Sequence, residues 1–229
     1  MAKKAVNPAP KQEQKGLEEA LSKSEQFFEN NKKTIFSCLI ALIVIIAGGV
    51  LYNAKVAQPR KIRAYEAIFP GESYFINGDY STALNGDAYG FEGFEQLSRQ
   101  YKGNKAGKLA TLYAGLCYAQ LDSMDVAKEY LAKFDGSDQM VSPSALAALA
   151  NCYAQTGDLT KAASTFEKAA QKADNGLLSP NFYFQAGLIY ESLDKPAQAL
   201  KLYQMIKTKY PQSMESQEID KYIARLTSK

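Results

Sequence analysis

The sequence predicts an all-α protein: an N-terminal transmembrane helix, then a solenoid of about four helical hairpins, then a C-terminal capping helix. Two observations lead to this fold class. An uncharged apolar run lies near the N-terminus, and a residue pattern returns at nearly constant spacing in the second half. Tyr118, Tyr153 and Tyr190, for example, are 35 and 37 residues apart. A period of about 34 residues is typical of stacked helical hairpins, which bury their apolar faces against their neighbours.

Two further positions repeat at the same intervals and support the hairpin prediction. Each repeat has a small residue followed four positions later by a bulky one: Ala127 and Leu131, Ala162 and Phe166, Ala199 and Tyr203. A small residue allows two helices to cross closely, and the bulky residue one turn later fills the space beside the crossing. The pattern therefore predicts a helix–turn–helix unit in each repeat.

Residues 1–34 are predicted to form a tail ahead of the apolar run. Residues 2–16 have almost no apolar content, which is typical of a disordered segment. From Leu17 to Phe28 the apolar residues fall at helical spacing and alternate with glutamates, which predicts a short amphipathic helix. This helix could lie on a membrane, dock on a partner or extend the helix that follows it.

Residues 35–52 contain 18 residues without a charge. At 1.5 Å per residue they cover about 27 Å, close to the thickness of a bilayer core. A soluble helix would not be apolar on all faces. A cleavable signal peptide is the competing interpretation, but a leader of 34 residues with five glutamates is too long and too acidic for one. The segment is therefore predicted to be a signal-anchor.

Lysine and arginine residues do not decide the orientation of this anchor. Four lysine or arginine residues lie within about 20 residues of each end of the apolar run, so the two sides do not differ in positive charge. We expect a cytoplasmic tail and a translocated C-terminal domain, because a domain destined for the cytosol would need no anchor. Pro59 is expected to end the helical extension of the anchor. Residues 53–63 are therefore expected to be a linker, and residues 64–229 the repeat domain.

The repeat domain divides into four hairpins and a final helix. In the first, the turn Asn77–Tyr80 matches a later turn at Gly157, but Ala83 precedes Ala127 by 44 residues. The second helix of this hairpin is therefore expected to be interrupted at residues 84–90. Hairpins two, three and four are expected at residues 109–134, 144–170 and 180–211. Ser213 is expected to cap the last helix.

Composition argues against several classes of function. The chain has no histidine, which excludes His-based catalytic triads and mixed Cys/His zinc sites. Residues 64–229 carry 16 Lys/Arg and 19 Asp/Glu, so no basic footprint for nucleic acid is present. Cys117 and Cys152 occupy equivalent repeat positions and are expected to be buried packing residues. We expect no enzyme activity, metal, cofactor or small-molecule substrate.

The repeats resemble the tetratricopeptide repeat, a family of helix–turn–helix units. Repeat three carries the family's Leu-Ala-x-x-Tyr run at Leu149, Ala150 and Tyr153, and the turn at Gly157 and Asp158. Repeats two and four match further positions of the family pattern. These are Gly115, Tyr118, Ala127 and Leu131 in repeat two, and Gly187, Tyr190, Ala199, Tyr203 and Pro211 in repeat four. The resemblance implies a protein-binding solenoid.

The order of tail, anchor and repeats is also similar to a narrower family, the single-pass ancillary subunits of the SecYEG translocon. This resemblance includes the aromatic-rich stretch before the span and the uneven first repeat with Gly78, Asp79 and Tyr80. It implies a bacterial inner-membrane protein with a cytoplasmic N-terminus and a periplasmic repeat domain. The implied partners are Sec translocon subunits, periplasmic folding factors or a prolyl isomerase, and nascent secreted chains.

The resemblance also implies a ligand-binding face, because the first helix of each tetratricopeptide hairpin lines a concave groove. By register, the predicted protein-binding residues are Leu109, Leu112, Leu116, Asn151, Gln155, Phe184 and Leu188. Family members that clamp the carboxylates of chaperone C-termini use charged residues here, and this chain has Leu112, Ala147 and Phe184 instead. An apolar groove edged by amides suits an amphipathic helix or an extended apolar segment. Alternatively, the terminal helix or the long first helix fills the groove.

Two functions remain open from the sequence. The first is a membrane-anchored adaptor at the Sec translocon that works with a periplasmic chaperone network and helps nascent secreted proteins. The second is a scaffold for envelope assembly or cell division that binds partners through the same repeats.

Overall fold

The computed structural model of the chain describes residues 11–228. All regular secondary structure in this range is helical, in agreement with the predicted fold class. The α-helices, with a π-helical turn at Asn53–Ala57 between the first two, are α1 (Lys11–Tyr52), α2 (Gln58–Ile76), α3 (Tyr80–Asn85), α4 (Phe94–Gln100), α5 (Lys105–Gln120), α6 (Met124–Lys133), α7 (Val141–Gln155), α8 (Leu159–Ala173), α9 (Ser179–Ser192), α10 (Pro196–Lys209) and α11 (Met214–Thr227).

The chain divides into two compact units, the first ending at Pro59 and the second starting at Arg60. In the first unit, α1 starts at Lys11, so the prediction of disorder as far as Gly16 is wrong from Lys11 onward. Residues 1–10 lie outside the described range. Residues 17–28 belong to the same helix as the apolar run, which matches the alternative of a continuous helix.

The apolar part of α1 exposes large side chains on all sides. Leu39, Ile43, Ile46 and Val50, among others, are more than half exposed. Within the described residues, one helical stretch, Glu29–Ile76, is long and apolar enough to cross a membrane by length and composition. A signal sequence near the N-terminus would meet the same criteria.

The segment expected to be a linker, residues 53–63, is helical. It comprises the π-helical turn and the first turns of α2. Pro59 is the second residue of α2, and the first turn of a helix tolerates proline. The expectation that Pro59 ends the helix was therefore wrong.

The second unit contains the predicted hairpins. Helices α5 and α6, α7 and α8, and α9 and α10 form hairpins two, three and four, while α2 pairs with a divided second arm, α3 and α4. Asp79 and Asp158 begin the second arms of hairpins one and three, where their carboxylates accept hydrogen bonds from the backbone N–H groups of Thr82 and Lys161. Such N-caps satisfy donors that have no partner within the helix.

A small residue on the first helix of each hairpin precedes the repeated alanine by 12 positions. The pairs are Gly71 and Ala83, Gly115 and Ala127, Ala150 and Ala162, and Gly187 and Ala199. A methyl group added at Gly187 would lie 2.4 Å from Cε1 of Tyr203, and one added at Gly115 would lie 2.9 Å from Cγ of Leu131. The glycines therefore allow the bulky residue of the second arm to contact the backbone of the first.

The interruption in hairpin one is a loop between Asn85 and Phe94, which overlaps the predicted residues 84–90 but starts and ends later in the chain. Asp87 organises the loop: one carboxylate oxygen accepts from the N–H groups of Tyr89 and Phe91, and the other accepts from the Tyr74 hydroxyl at 2.7 Å. These hydrogen bonds, the one from Tyr74 first, hold the pKa of Asp87 below its usual value. Gly86 and Gly93 have positive φ and lie too close to opposing backbone to accept a side chain.

The last helix, α11, closes the stack. Ser213 caps it by accepting a hydrogen bond from the Ser216 N–H at 3.1 Å, as predicted. Ile219 is fully buried in the cluster formed by hairpins three and four, and Tyr222, Ile223 and Leu226 pack against that cluster. Cys117 and Cys152 are buried free thiols, as expected of packing residues.

We predict that Gly187→Ala destabilises the chain by about 1–3 kcal/mol, because the added methyl group overpacks against the Tyr203 ring. Thermal unfolding of the full chain in detergent, followed by circular dichroism, measures the effect. Gln198→Ala, at an exposed position on α10, serves as the control and is expected to change stability by less than about 0.5 kcal/mol. A Gly187→Ala chain as stable as the wild type would contradict the close crossing.

Candidate functional site on the first helices of the hairpins

The predicted groove residues lie on α5, α7 and α9, the first helices of hairpins two, three and four. Helix α7 packs mainly on α8 of its own hairpin, then on α6 of the preceding hairpin, and it also contacts α5; α11 packs mainly on α10 and also contacts α9. The first helices of hairpins two and three are therefore neighbours in the stack.

The three leucines on α5 are buried to different extents. Leu112 is only 6% exposed and lies in a core cluster with Leu131, Leu149 and Cys152. Leu109 and Leu116 are half-buried against the same cluster. The prediction that Leu112 contacts a ligand therefore needs correction: its side chain packs between hairpins two and three, and a charge there would unfold them.

The two amides on α7 are accessible. Asn151 and Gln155 are both exposed and lie four residues apart, so they occupy the same face of the helix. Both amides can therefore hydrogen-bond to a ligand that lies along this face of α7.

On α9, Leu188 is half-buried, while Phe184 is in contact with other aromatic residues. The centroid of the Phe184 ring is 5.9 Å from that of Tyr203 and 4.9 Å from that of Tyr222 on α11, the latter in an edge-to-face arrangement. Edge-to-face pairs at this distance are favourable beyond the area they bury. The terminal helix therefore covers Phe184.

Polar contacts also attach α11 to α9. The guanidinium of Arg225 donates to both carboxylate oxygens of Glu191 at 2.8 Å, and Glu191 also accepts from the Tyr203 hydroxyl at 2.6 Å. Asn181 donates to Glu215 at 3.3 Å. The sequence left open that the terminal helix fills the groove, but it did not identify these polar contacts.

None of the predicted residues carries a charge. Those that are exposed or half-buried are Leu109, Leu116, Asn151, Gln155, Leu188 and Phe184, the last of which is partly covered by α11. Such residues offer apolar contact together with amide hydrogen bonds, and they provide no pair of cations to clamp carboxylates. Their chemistry suits recognition of a polypeptide segment.

The repeated tyrosines are packing residues, as predicted. Tyr118, Tyr153 and Tyr190 all pack against core clusters. The Tyr190 hydroxyl donates to Glu167 at 2.6 Å, and burial raises the pKa of Tyr190 and of Tyr118 to about 12. These phenols are therefore neutral at physiological pH.

Groups that could support catalysis are not assembled in the described part of the chain. Burial raises the pKa of the Cys117 thiol to about 12, so this residue has almost no thiolate at neutral pH. Among the side chains that the structure describes, which begin at Phe27, no group of three or more Cys, Asp or Glu is placed to hold a metal ion.

A basic cleft between α4, α5 and α6 was not anticipated from the sequence. It is lined by Arg99, Lys102, Lys108 and Lys133. Arg99 pairs with Glu95, and Lys108 donates to Asp135. These carboxylates compensate part of the positive charge.

Comparisons with known proteins agree with the arrangement of the helices in hairpins. Two tetratricopeptide-repeat sequence families match residues 143–171 and 182–213, which correspond to hairpins three and four. No curated protein sequence matches the chain.

Solved structures with the same fold share little sequence with the chain. MamA protein aligns with a TM-score of 0.55 at 16% identity, over 72% of this chain and 82% of its own. A tetratricopeptide repeat protein from Parabacteroides merdae ATCC 43184 aligns with a TM-score of 0.56 at 13% identity, over 72% of this chain and 61% of its own. A putative kinesin light chain from Podosopora anserina with tetratricopeptide-like repeats aligns with a TM-score of 0.53 at 15% identity, over 72% of this chain and 86% of its own.

These matches agree with the repeat register and with the close crossing of the helices in the hairpins. The second unit contains tetratricopeptide repeats arranged as a solenoid, a fold typical of protein-binding scaffolds without catalytic activity.

Proposed function

We propose that the chain is a membrane-anchored adaptor that binds a segment of another protein on the first helices of its hairpins. What supports this proposal is the set of predicted residues on α5, α7 and α9, which are uncharged and include half-buried leucines and the exposed amides of Asn151 and Gln155. These residues belong to a tetratricopeptide-repeat solenoid.

The chemistry of the surface defines the ligand class. Half-buried Leu109, Leu116 and Leu188 offer apolar contact without charge, and the amides can pair with backbone or polar groups at the edge. An amphipathic helix laid in the groove, or an extended apolar segment, uses this combination. An acidic C-terminal peptide does not, because the surface lacks the lysine and arginine residues that would bind its carboxylates.

We further propose that α1 anchors the chain in the bacterial inner membrane, with the repeats in the periplasm. The exposed apolar side chains of residues 35–52 support the anchor, since such a helix is stable in lipid and poorly stable in water. The order of tail, anchor and repeats supports a position beside the Sec translocon. There the adaptor would pass nascent secreted chains to periplasmic folding factors or a prolyl isomerase.

Proximity labelling tests the place of action. We predict that a labelling enzyme fused after Lys229 of the full chain modifies translocon subunits and periplasmic folding factors, because the adaptor acts where chains emerge. A fusion of the same enzyme to an unrelated single-pass anchor is the control. Enrichment of peptidoglycan or outer-membrane machinery instead would contradict the translocon adaptor and favour the envelope scaffold.

Protease accessibility tests the orientation. We predict that protease added to intact spheroplasts degrades the repeats, because the anchor places residues 60–229 outside the cytoplasm. A cytoplasmic protein monitored in the same samples controls for lysis. Digestion only after lysis would reverse the topology and exclude transfer of clients in the periplasm.

Isosteric charge changes test the groove. We predict that Asn151→Asp combined with Gln155→Glu reduces recovery of the labelled partner about tenfold, because burying two carboxylates against an apolar ligand costs at least about 1.4 kcal/mol. Both side chains are exposed, so the fold should be unaffected.

Gln171→Glu makes the same chemical change at an exposed position on α8 and serves as the matched control. Circular dichroism of all variants verifies folding. Full recovery of the partner by the doubly charged variant would place the binding surface elsewhere on the chain.

A further inference from the structure

Helix α2 presents an apolar stripe away from the core of the repeat domain. Ile62, Tyr65, Phe69 and Ile76 are 57, 47, 68 and 81% exposed. Their separations of three, four and seven residues place all four side chains on one side of the helix. This exposed apolar stripe is distinct from the buried side of α2, which carries Ala64, Ile68 and Gly71.

The stripe is unusual for the end of a solenoid. Terminal repeats need a polar outer face, because no further repeat covers them. The last helix follows this rule: Glu218, Asp220, Lys221 and Arg225 are exposed on α11. Helix α2 differs, because two aliphatic and two aromatic side chains are exposed on it in addition to charged residues such as Lys61 and Glu66. An apolar side chain that leaves water gains about 25 cal/mol per Å² of buried area, so the stripe favours association.

The spacing of the stripe matches the seam of a two-stranded coiled coil. If Ile62 is placed at heptad position a, then Tyr65 is at position d. Phe69 and Ile76 are then at position a of the next two heptads. Glu72, at the remaining d position, is half-buried and its carboxylate lies beside Tyr113 of α5. Pro70 lies inside the helix at position b, outside the seam. Side chains at a and d are those that interlock between two helices. The stripe therefore fits a helix with the same repeat.

The charges beside the stripe fit a second copy of the same helix. Lys61 lies at position g and Glu66 at position e of the following heptad, and both are exposed. In a parallel pair, g of one helix faces the following e of the other, so each Lys61 would face Glu66 of the second copy. In an antiparallel pair, g faces g and e faces e, which would bring like charges together.

We propose that α2 forms a parallel pair with α2 of a second copy of this chain through Ile62, Tyr65, Phe69 and Ile76. The seam is about two heptads long, which alone gives a weak association. The proposed anchor directly precedes α2 in sequence and confines both copies to one membrane, which raises their effective concentration. This pairing does not involve the groove residues on α5, α7 and α9.

Disulfide crosslinking of the full chain in native membranes tests the pair. Cys38 is exposed and is replaced by serine, while Cys117 and Cys152 are buried and are retained. In this background, Phe69→Cys introduces a thiol on the stripe and Arg63→Cys an exposed thiol away from it. We predict that oxidation converts the Phe69→Cys chain of 25.2 kDa into a covalent homodimer in severalfold greater yield than the Arg63→Cys chain.

Charge reversal adds a test of register and direction. Lys61→Glu and Glu66→Lys are each expected to lower the Phe69→Cys crosslinking yield severalfold, and the two together are expected to restore it. All of these positions are exposed, so a loss of yield cannot be attributed to unfolding. Failure of the double reversal to restore the yield would overturn the parallel pairing.

Other occupants of the stripe give different results, and each overturns the proposal. Equal yields from Phe69→Cys and Arg63→Cys would show that the stripe is not a seam. A crosslinked product containing another protein, identified by mass spectrometry, would show that a different partner covers it. Protection of Phe69→Cys from a water-soluble maleimide without dimer formation would show that lipid covers it. Asn151→Asp with Gln155→Glu should leave the yield unchanged, so failure of the groove and failure of the pair are distinguishable.

Discussion

The close crossing of the two helices within each hairpin is the contact on which the rest of the repeat domain depends. Glycine at positions 115 and 187 allows Leu131 and Tyr203 to lie directly on the backbone of the first helix. Successive hairpins that pack closely in this way can then stack on one another. The first helices of hairpins two and three are then neighbours, and both carry residues of the proposed binding surface.

Hairpin one keeps this crossing although its second arm is broken. Gly71 packs against Phe91 and Phe94, which come from the loop and from α4. The Asp87 carboxylate holds the loop through one tyrosine hydroxyl and two backbone N–H groups, and thereby brings Phe91 into place. The extra residues are thus absorbed without loss of the glycine–aromatic contact.

The sequence was sufficient for those features that repeat, because each hairpin meets the same packing requirement. The tyrosines, the alanines and the turns that contain Asp79 and Asp158 could be placed from their spacing alone. The helical state of residues 53–63 could not, because the inference relied on Pro59, and a proline in the first turn of a helix is compatible with its continuation. Local sequence does not reveal whether such a turn continues an existing helix.

The candidate site was only partly predictable for a related reason. Register assigns a residue to a face of its helix, but burial depends on how far the neighbouring hairpin overlaps that face. Leu112 lies under hairpin three, while Leu109 and Leu116 stay half-accessible at the margin. The cover over Phe184 depends on Tyr222 and Arg225, which lie 38 and 41 residues later in a helix that has no repeat signature.

The two ends of the solenoid differ in a way that connects packing with proposed function. At the C-terminal end, α11 buries Ile219 and turns charged residues outward, which completes the core and leaves a polar surface. At the N-terminal end, α2 buries Ala64 and Ile68 and turns a second apolar side outward. Pairing through that side would leave the proposed binding surface of each copy accessible. Two such surfaces in one assembly would allow simultaneous contact with two segments of a client, which strengthens binding without new contacts on either surface.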